Sequence, residues 1–200
     1  MIPFIPFIPV EISLGSLRQA PSMNIRAALA AEHSKRQTMK IVRYIGADPS
    51  RFKELMKVFL SDEYRPVQRA SWSVNCCVEN HPKLALPYFP KLLAILERDD
   101  VHTGAHRNIL RMFQFVDIPP RHRGRLFDIC TRFLDDLAQP VGVRVFALTV
   151  AAKIADGEES LINELKALAD KSIPHSTIAL RVRARRVLGE KPRTNVAKLT

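Results

Sequence analysis

The sequence predicts an all-α protein, a right-handed superhelix of stacked antiparallel helix pairs, and three observations carry that prediction. Arg36, Arg69, Arg107, Arg144 and Arg181 recur at spacings of 33, 38, 37 and 37 residues, the period of a repeated helix pair. Each of the first four is followed thirteen residues later by a chain breaker, Pro49, Pro82, Pro120 or Gly157, so four helices start and stop in step. Between these marks the apolar residues fall at three- and four-residue spacing, with no convincing strand alternation.

The first 22 residues stand outside this repeat. Prolines at positions 3, 6 and 9 leave neither a helical nor a strand period, so an extended and poorly ordered segment is expected. Met23 directly precedes the first amphipathic stretch, which is why translation is read as starting there. The rival reading is an apolar peptide that docks on a partner or on the repeats themselves.

From Asn24 to Tyr44, Ile25, Leu29 and Ile41 bracket a polar middle, and Gly46 and Pro49 end what is expected to be one inner helix. Phe52, Leu55, Met56, Phe59 and Leu60 then stripe an outer helix, answered by an inner helix over 66–79 with Pro66 in its first turn. Phe89, Leu92, Leu93 and Leu96 mark the next outer helix, and Ile109, Met112, Phe113 and Val116 the inner one. Leu126, Ile129, Cys130, Phe133 and Leu134 repeat the five-position stripe. The helix over 140–154 is apolar nearly all round, as a helix buried between neighbours should be. Leu161, Leu165, Leu168 and Ala169 give the last outer helix and 177–188 the last inner one. The expectation is nine helices in about four and a half pairs, a repeat domain over 23–189, and a basic polar tail over 190–200 that frays.

Composition bounds the rest. At 46% hydrophobic and 26% charged, 200 residues can bury one sizeable core, which excludes disorder throughout. No run reaches the roughly 18 apolar residues that cross a bilayer, and no basic flank precedes an apolar region at the N-terminus, so no membrane association and a cytoplasmic location are expected. Cys76, Cys77 and Cys130 are odd in number, and adjacent Cys76 and Cys77 diverge on a helix, so reduced thiols are expected. The net charge is +11. Residues 171–200 carry eight Lys or Arg against one acid, hence +7 of that total. Such an end suits an anionic partner such as nucleic acid, and equally a solvated terminal helix that keeps the last repeat soluble.

The helix pairs, the early arginine of each second helix and the acids in the preceding turns resemble the HEAT and armadillo repeat superfamily. The acids are Asp62 and Glu63, Asp99 and Asp100, Asp135 and Asp136, and Asp170. The resemblance implies a helical solenoid, and it implies arginines that pair with turn acids and hold neighbouring units in register. The chain also resembles short bacterial HEAT-like proteins, some of which carry an adenylosuccinate lyase label. The serine-rich signature loop of that enzyme, with its Met-Pro and lysine, does not occur in this sequence. A more distant resemblance is to HEAT-like alkylpurine DNA glycosylases, whose concave groove holds tryptophans, an aspartate and an arginine. It points to Trp72 with Arg107 or Arg144, although the chain has a single tryptophan.

Two readings of the arginine column follow. Arg69, Arg107, Arg144 and Arg181, with Arg36, form either a ladder that grips phosphates or a set of structural ties. One turn on lie Lys40, Ser73, Arg111, Leu148 and Arg185, an interrupted basic surface. Arg121, His122, Arg123 and Arg125 crowd a helix start, where positive charge meets the wrong end of the dipole. His102 and His106 have metal-ligand spacing but no glutamate between them and no third ligand, so no metal is expected. No phosphate-binding glycine loop, nucleophile elbow or paired apolar carboxylates appear, so no catalytic residue and no cofactor are assigned. The leading functional expectation is a non-enzymatic scaffold whose concave face takes a protein or peptide, centred on Arg69, Trp72 and Arg107, with Arg111, Arg144, Arg181 and Arg185 as further binding candidates. The alternative is a basic nucleic-acid-binding solenoid, including the DNA alkylation repair type.

Overall fold

The computed structural model describes residues 22–61, 63–172 and 177–189; the extended segment and the basic tail expected at the two ends lie outside these residues, apart from Ser22. The described residues form ten α-helices and one 3-10 segment and contain no strand. In order these are α1 (Ile25–Ala31), α2 (Lys35–Ile45), α3 (Pro49–Phe59), α4 (Tyr64–Asn80), the 3-10 segment Pro82–Tyr88, α5 (Phe89–Leu96), α6 (Thr103–Phe113), α7 (Pro120–Asp135), α8 (Val141–Ile154), α9 (Glu159–Ser172) and α10 (Ile178–Leu188).

The single helix expected over 24–44 is two helices. Ser34 ends the first by starting the second: its hydroxyl accepts from the backbone N–H of Gln37 at 3.1 Å, a bond available only if Ser34 leaves the helical conformation. Gln37 then donates to the carbonyl of Ala28 at 2.8 Å, tying α2 back against α1. Other boundaries follow the expected chemistry. The Asp48 carboxylate caps α3 by accepting from the N–H groups of Ser50 and Arg51, with Pro49 at the first helical position. Gly46, with φ of +52°, closes α2 in a conformation that a side chain would strain. Pro82, Pro87 and Pro90 remove three backbone donors, and the chain between α4 and α5 takes the tighter 3-10 form.

The helices form two layers. α2, α4, α6, α8 and α10 stack in succession, while α3, α5, α7 and α9 form the other layer and pack against them. The apolar stripes meet between the layers, where Phe52, Leu55, Phe89, Leu92, Leu93, Leu96, Ile109 and Leu110 are fully buried. Phe89 and Phe113 stack with ring centroids 4.4 Å apart. Each such side chain removed from water contributes roughly 1.5–3 kcal/mol, so this interface dominates stability. α8 is buried on most but not all of its circumference: Val143, Ala147, Leu148, Val150 and Ala151 are fully enclosed among α6, α7 and α10, whereas Val145, Phe146 and Thr149 are only half-buried and Val141 is exposed, so its apolar composition exceeds its burial.

Candidate functional site

The inner stack leaves one face uncovered by the other layer. On α4, burial of Ala70, Ser73, Val74 and Cys77 turns Trp72 and Cys76, one turn apart, to the opposite side, where both are half-buried. The same geometry exposes Arg107 on α6 and leaves Arg111 half-buried beside it, with Val145, Phe146 and Thr149 half-buried on α8. His33, from the link between α1 and α2, meets Trp72 edge-on at 6.4 Å. The Arg107 guanidinium lies over the Phe146 ring at 5.6 Å. Gly142 makes room for it, since a Cβ there would stand 2.9 Å from Arg107 Nε.

Electrostatics on this face favour cationic and aromatic character over reactivity. Burial, with Glu79 acting in the same sense, pushes the Cys76 thiol up, only partly offset by Arg111. The thiol therefore stays protonated at neutral pH and is a poor nucleophile. Cys77 is pushed up to about 12 by burial, and burial raises Cys130 further; all three cysteines are reduced.

The five arginines of the column do not share one environment. Arg144 is 5% exposed, and its Nε and Nη2 both donate to the carbonyl of Leu134 at 3.2 Å, the end of α7. Arg69 is half-buried and donates to the carbonyls of Leu29 and Ala30, at 3.2 and 2.6 Å, the end of α1. Arg36 is exposed and pairs with Glu32 one turn back. Arg107 stands on the Phe146 ring and Arg181 is exposed. Arg69 and Arg144 tie neighbouring helices through carbonyls at helix C-termini, where the macrodipole favours a cation, and Arg144 also attracts the carboxylate of Asp136, one of the turn acids that the resemblance implied. Meanwhile Glu63 pairs with Arg26, Asp100 with Arg98 and Asp135 with Lys171. Asp136 caps its own turn, accepting from the Ala138 N–H and from Gln139 Nε2. Arg51, on the Tyr44 carbonyl at 2.6 Å, and Lys153, on those of Gln114 and Val116 at 3.1 and 2.8 Å, repeat the carbonyl device outside the column.

In the second column, Ser73 and Leu148 are fully buried while Lys40 and Arg185 are exposed, so the basic surface is interrupted as the sequence indicates. Arg183, which the sequence sets nearly opposite Arg181, turns into the stack and donates to Thr149 Oγ1 at 3.1 Å and Gln114 Oε1 at 3.5 Å. It belongs to the inner face although the arginine period omits it. The only signal for it was that angular offset within α10. At the start of α7 the polar side chains are engaged: Arg125 pairs with Glu97, Arg123 donates to the Ile118 carbonyl, Arg121 donates to His122 Nε2, and the His122 ring stacks on Phe89. His102 caps α6 by accepting from the Gly104 N–H, and buried His106 donates from Nε2 to the Ile95 carbonyl at 3.2 Å. These two histidines serve different backbone groups, one in α6 itself and one at the end of α5. Among the described residues no three His, Cys, Asp or Glu side chains cluster in a metal-binding arrangement.

Two depressions of about 500 and 510 Å³ lie away from Trp72. One is lined by Pro49, His81, Pro82, Pro87 and Tyr88 at the turn edge, the other by Met23, Arg26, Glu54 and Lys57 beside α1. Among the described residues no helix is long and apolar enough to cross a membrane.

Two stacked layers of antiparallel helices, with one face of the inner stack left open, define an α-solenoid of the helical-repeat class. The chain belongs to the HEAT repeat domain family, whose model matches residues 25–191. No curated protein and no solved structure matches it.

Proposed function

We propose that the protein is a scaffold without chemistry of its own, which takes a protein or peptide partner on the open face of its inner stack. The observation that carries this reading is the half-buried Trp72, set among His33, Cys76 and the arginines of α4 and α6. Trp and Arg are the side chains that most often anchor protein interfaces, because each offers a large contact area with a polar handle. Arg107 is held ready over Phe146, and Arg111 stands beside Cys76. Arg69 and Arg144, tied to carbonyls, support the face more than they meet a ligand.

Trp72 is the only tryptophan, so its fluorescence reads this face directly. Affinity capture with the wild-type chain, repeated with Trp72→Ala and Arg111→Glu, tests the reading. A partner that is lost with either variant, and that shifts Trp72 emission when purified, is the expected result. Equal capture by all three chains, or turnover of a nucleotide or nucleobase by the purified protein, would overturn it.

A second reading, weak sequence-independent binding of nucleic acid, draws on the net charge of +11 and the exposed Arg181 and Arg185. Neutralised phosphates release counterions, so such binding falls steeply with salt. Anisotropy titration of duplex DNA at low and physiological salt, with Arg181 and Arg185 changed to Glu, tests it; equal affinity of wild type and variant refutes the contact.

A further inference from the structure

The centre of the inner stack is rich in cations and nearly free of acids. α4, α6 and α8 together carry one carboxylate, Glu79, against Arg65, Arg69, Arg107, Arg111, Arg144 and Lys153. On α6 and α8 these cations divide in two. Arg144 and Lys153 donate to backbone carbonyls. Among the described residues, the side chains of Arg107 and Arg111 make no hydrogen bond and no ion pair. Arg107 rests over the Phe146 ring at 5.6 Å, a contact that gives none of its N–H donors to an oxygen. Arg111 is half-buried beside Cys76, so it has lost part of its water without gaining a carboxylate.

These two arginines are four residues apart on one helix, which advances about 6 Å and turns only about 40° between them, so they share a side of α6. Like charges at that spacing repel, and an anion placed between them removes the repulsion. Arg107 leans toward α8, where it meets Phe146, and Arg111 toward α4, where it meets Cys76 one turn beyond Trp72. Two unpaired guanidinium groups thus stand between two half-buried aromatic side chains. An extended peptide presents alternate side chains on one side at roughly 6–7 Å, close to the spacing of the two arginines.

We propose that Arg107 and Arg111 form a carboxylate-recognising pair, and that the segment the open face takes is an extended acidic peptide of a partner protein. Two glutamates or aspartates at alternate positions meet the guanidinium forks, and an apolar side chain on either flank meets Trp72 or Phe146. This rests on the reading of the open face as a partner surface and names the chemistry of the partner. Neither end of the chain supplies such a ligand, since residues 1–21 hold one acid, Glu11, and residues 190–200 set Glu190 against Lys191, Arg193 and Lys198. A second copy offers the exposed acids Asp156, Glu158 and Glu159, but Gly157 and Ser160 beside them give nothing to match the aromatic flanks. Duplex nucleic acid favours a continuous basic surface, which buried Ser73 and Leu148 interrupt here.

The test uses the full chain and a short fluorescein-labelled peptide with glutamates at alternate central positions and a leucine or phenylalanine on either side. Fluorescence anisotropy should report binding that shifts Trp72 emission and weakens about tenfold or more with Arg107→Glu combined with Arg111→Glu. The same double variant should gain binding of the peptide that carries lysine for glutamate, a swap that a purely structural role of the arginines does not produce. Circular dichroism checks that the variant keeps its helices; Arg107→Gln and Arg111→Gln replace it if helicity is lost, and each should weaken binding of the acidic peptide. The proposal is overturned if the acidic peptide does not bind, or if the variants bind it as tightly as wild type. If the lysine peptide binds wild type and shifts Trp72 emission while the acidic one does not, the carboxylate pair fails and the partner surface stands. If neither peptide binds and affinity capture finds no partner that depends on Trp72, both fail. The proposal is overturned equally if duplex DNA binds more tightly than the peptide with the same dependence on Arg107 and Arg111, or if sedimentation shows self-association that the double variant abolishes.

Discussion

Replacing Arg144 by Met should separate the structural arginines from the others in the column. Methionine keeps the apolar stem and the approximate volume but removes the guanidinium. Arg144 is 5% exposed and gives two bonds to one acceptor, the Leu134 carbonyl at the end of α7. A hydrogen bond from a charged donor contributes about 1.5–3 kcal/mol net, and the second bond, sharing the acceptor, adds less than the first. Attraction of the cation to the helix C-terminus adds roughly 0.3–1 kcal/mol. The expected loss is about 2–4 kcal/mol, which lowers Tm by roughly 5–15 °C in a domain of this size. Opposing this is the cost of keeping a guanidinium out of water, which in some buried pairs exceeds the attraction. Urea and thermal unfolding, followed by circular dichroism, decide between them. Arg36→Met is the control, since Arg36 is exposed and pairs with Glu32 at the surface, and its midpoint should match wild type. If Arg144→Met is as stable as wild type or more so, desolvation wins and the ties between units do not hold the stack together.

Three further outcomes follow from the structure. Burial holds the His106 imidazole below its ordinary 6.5, so the unfolded chain binds the extra proton first; stability is fully present above about pH 6.5 and falls as pH drops from there toward the folded value. The slope attributable to this residue is at most about 1.4 kcal/mol per pH unit, and it should vanish from the urea midpoints of His106→Gln, which keeps a donor for the Ile95 carbonyl. A disulfide-exchange reagent at pH 8 should leave Cys77 and Cys130 unmodified until denaturant is added, with Cys76 reacting slowly; prompt reaction of all three thiols would contradict the packing. Gly142→Ala should displace the flexible Arg107 from Phe146 and leave the backbone in place, so Tm changes by only a few degrees; a collapse of helicity would show that the glycine serves the backbone itself.

The sequence by itself determined the all-α class, the helix-pair period and most of the core. These rest on the spacing of apolar residues and on breakers such as Pro49, Pro120 and Gly157, which act locally and are therefore legible in one dimension. The boundary it missed between α1 and α2 turned on Ser34, whose hydroxyl can extend a helix surface or cap a new helix; the choice depends on whether α2 can fold back on α1, as the Gln37 bond to the Ala28 carbonyl shows. The arginine column was visible too, but not its division of labour. Five arginines in the same register meet different neighbourhoods because they lie at different depths in the stack: Arg144 is enclosed, Arg69 reaches the end of α1, Arg107 finds Phe146, Arg36 pairs with Glu32 at the surface, and Arg181 is exposed. Periodicity specifies which residues share a face; only tertiary packing specifies what that face meets.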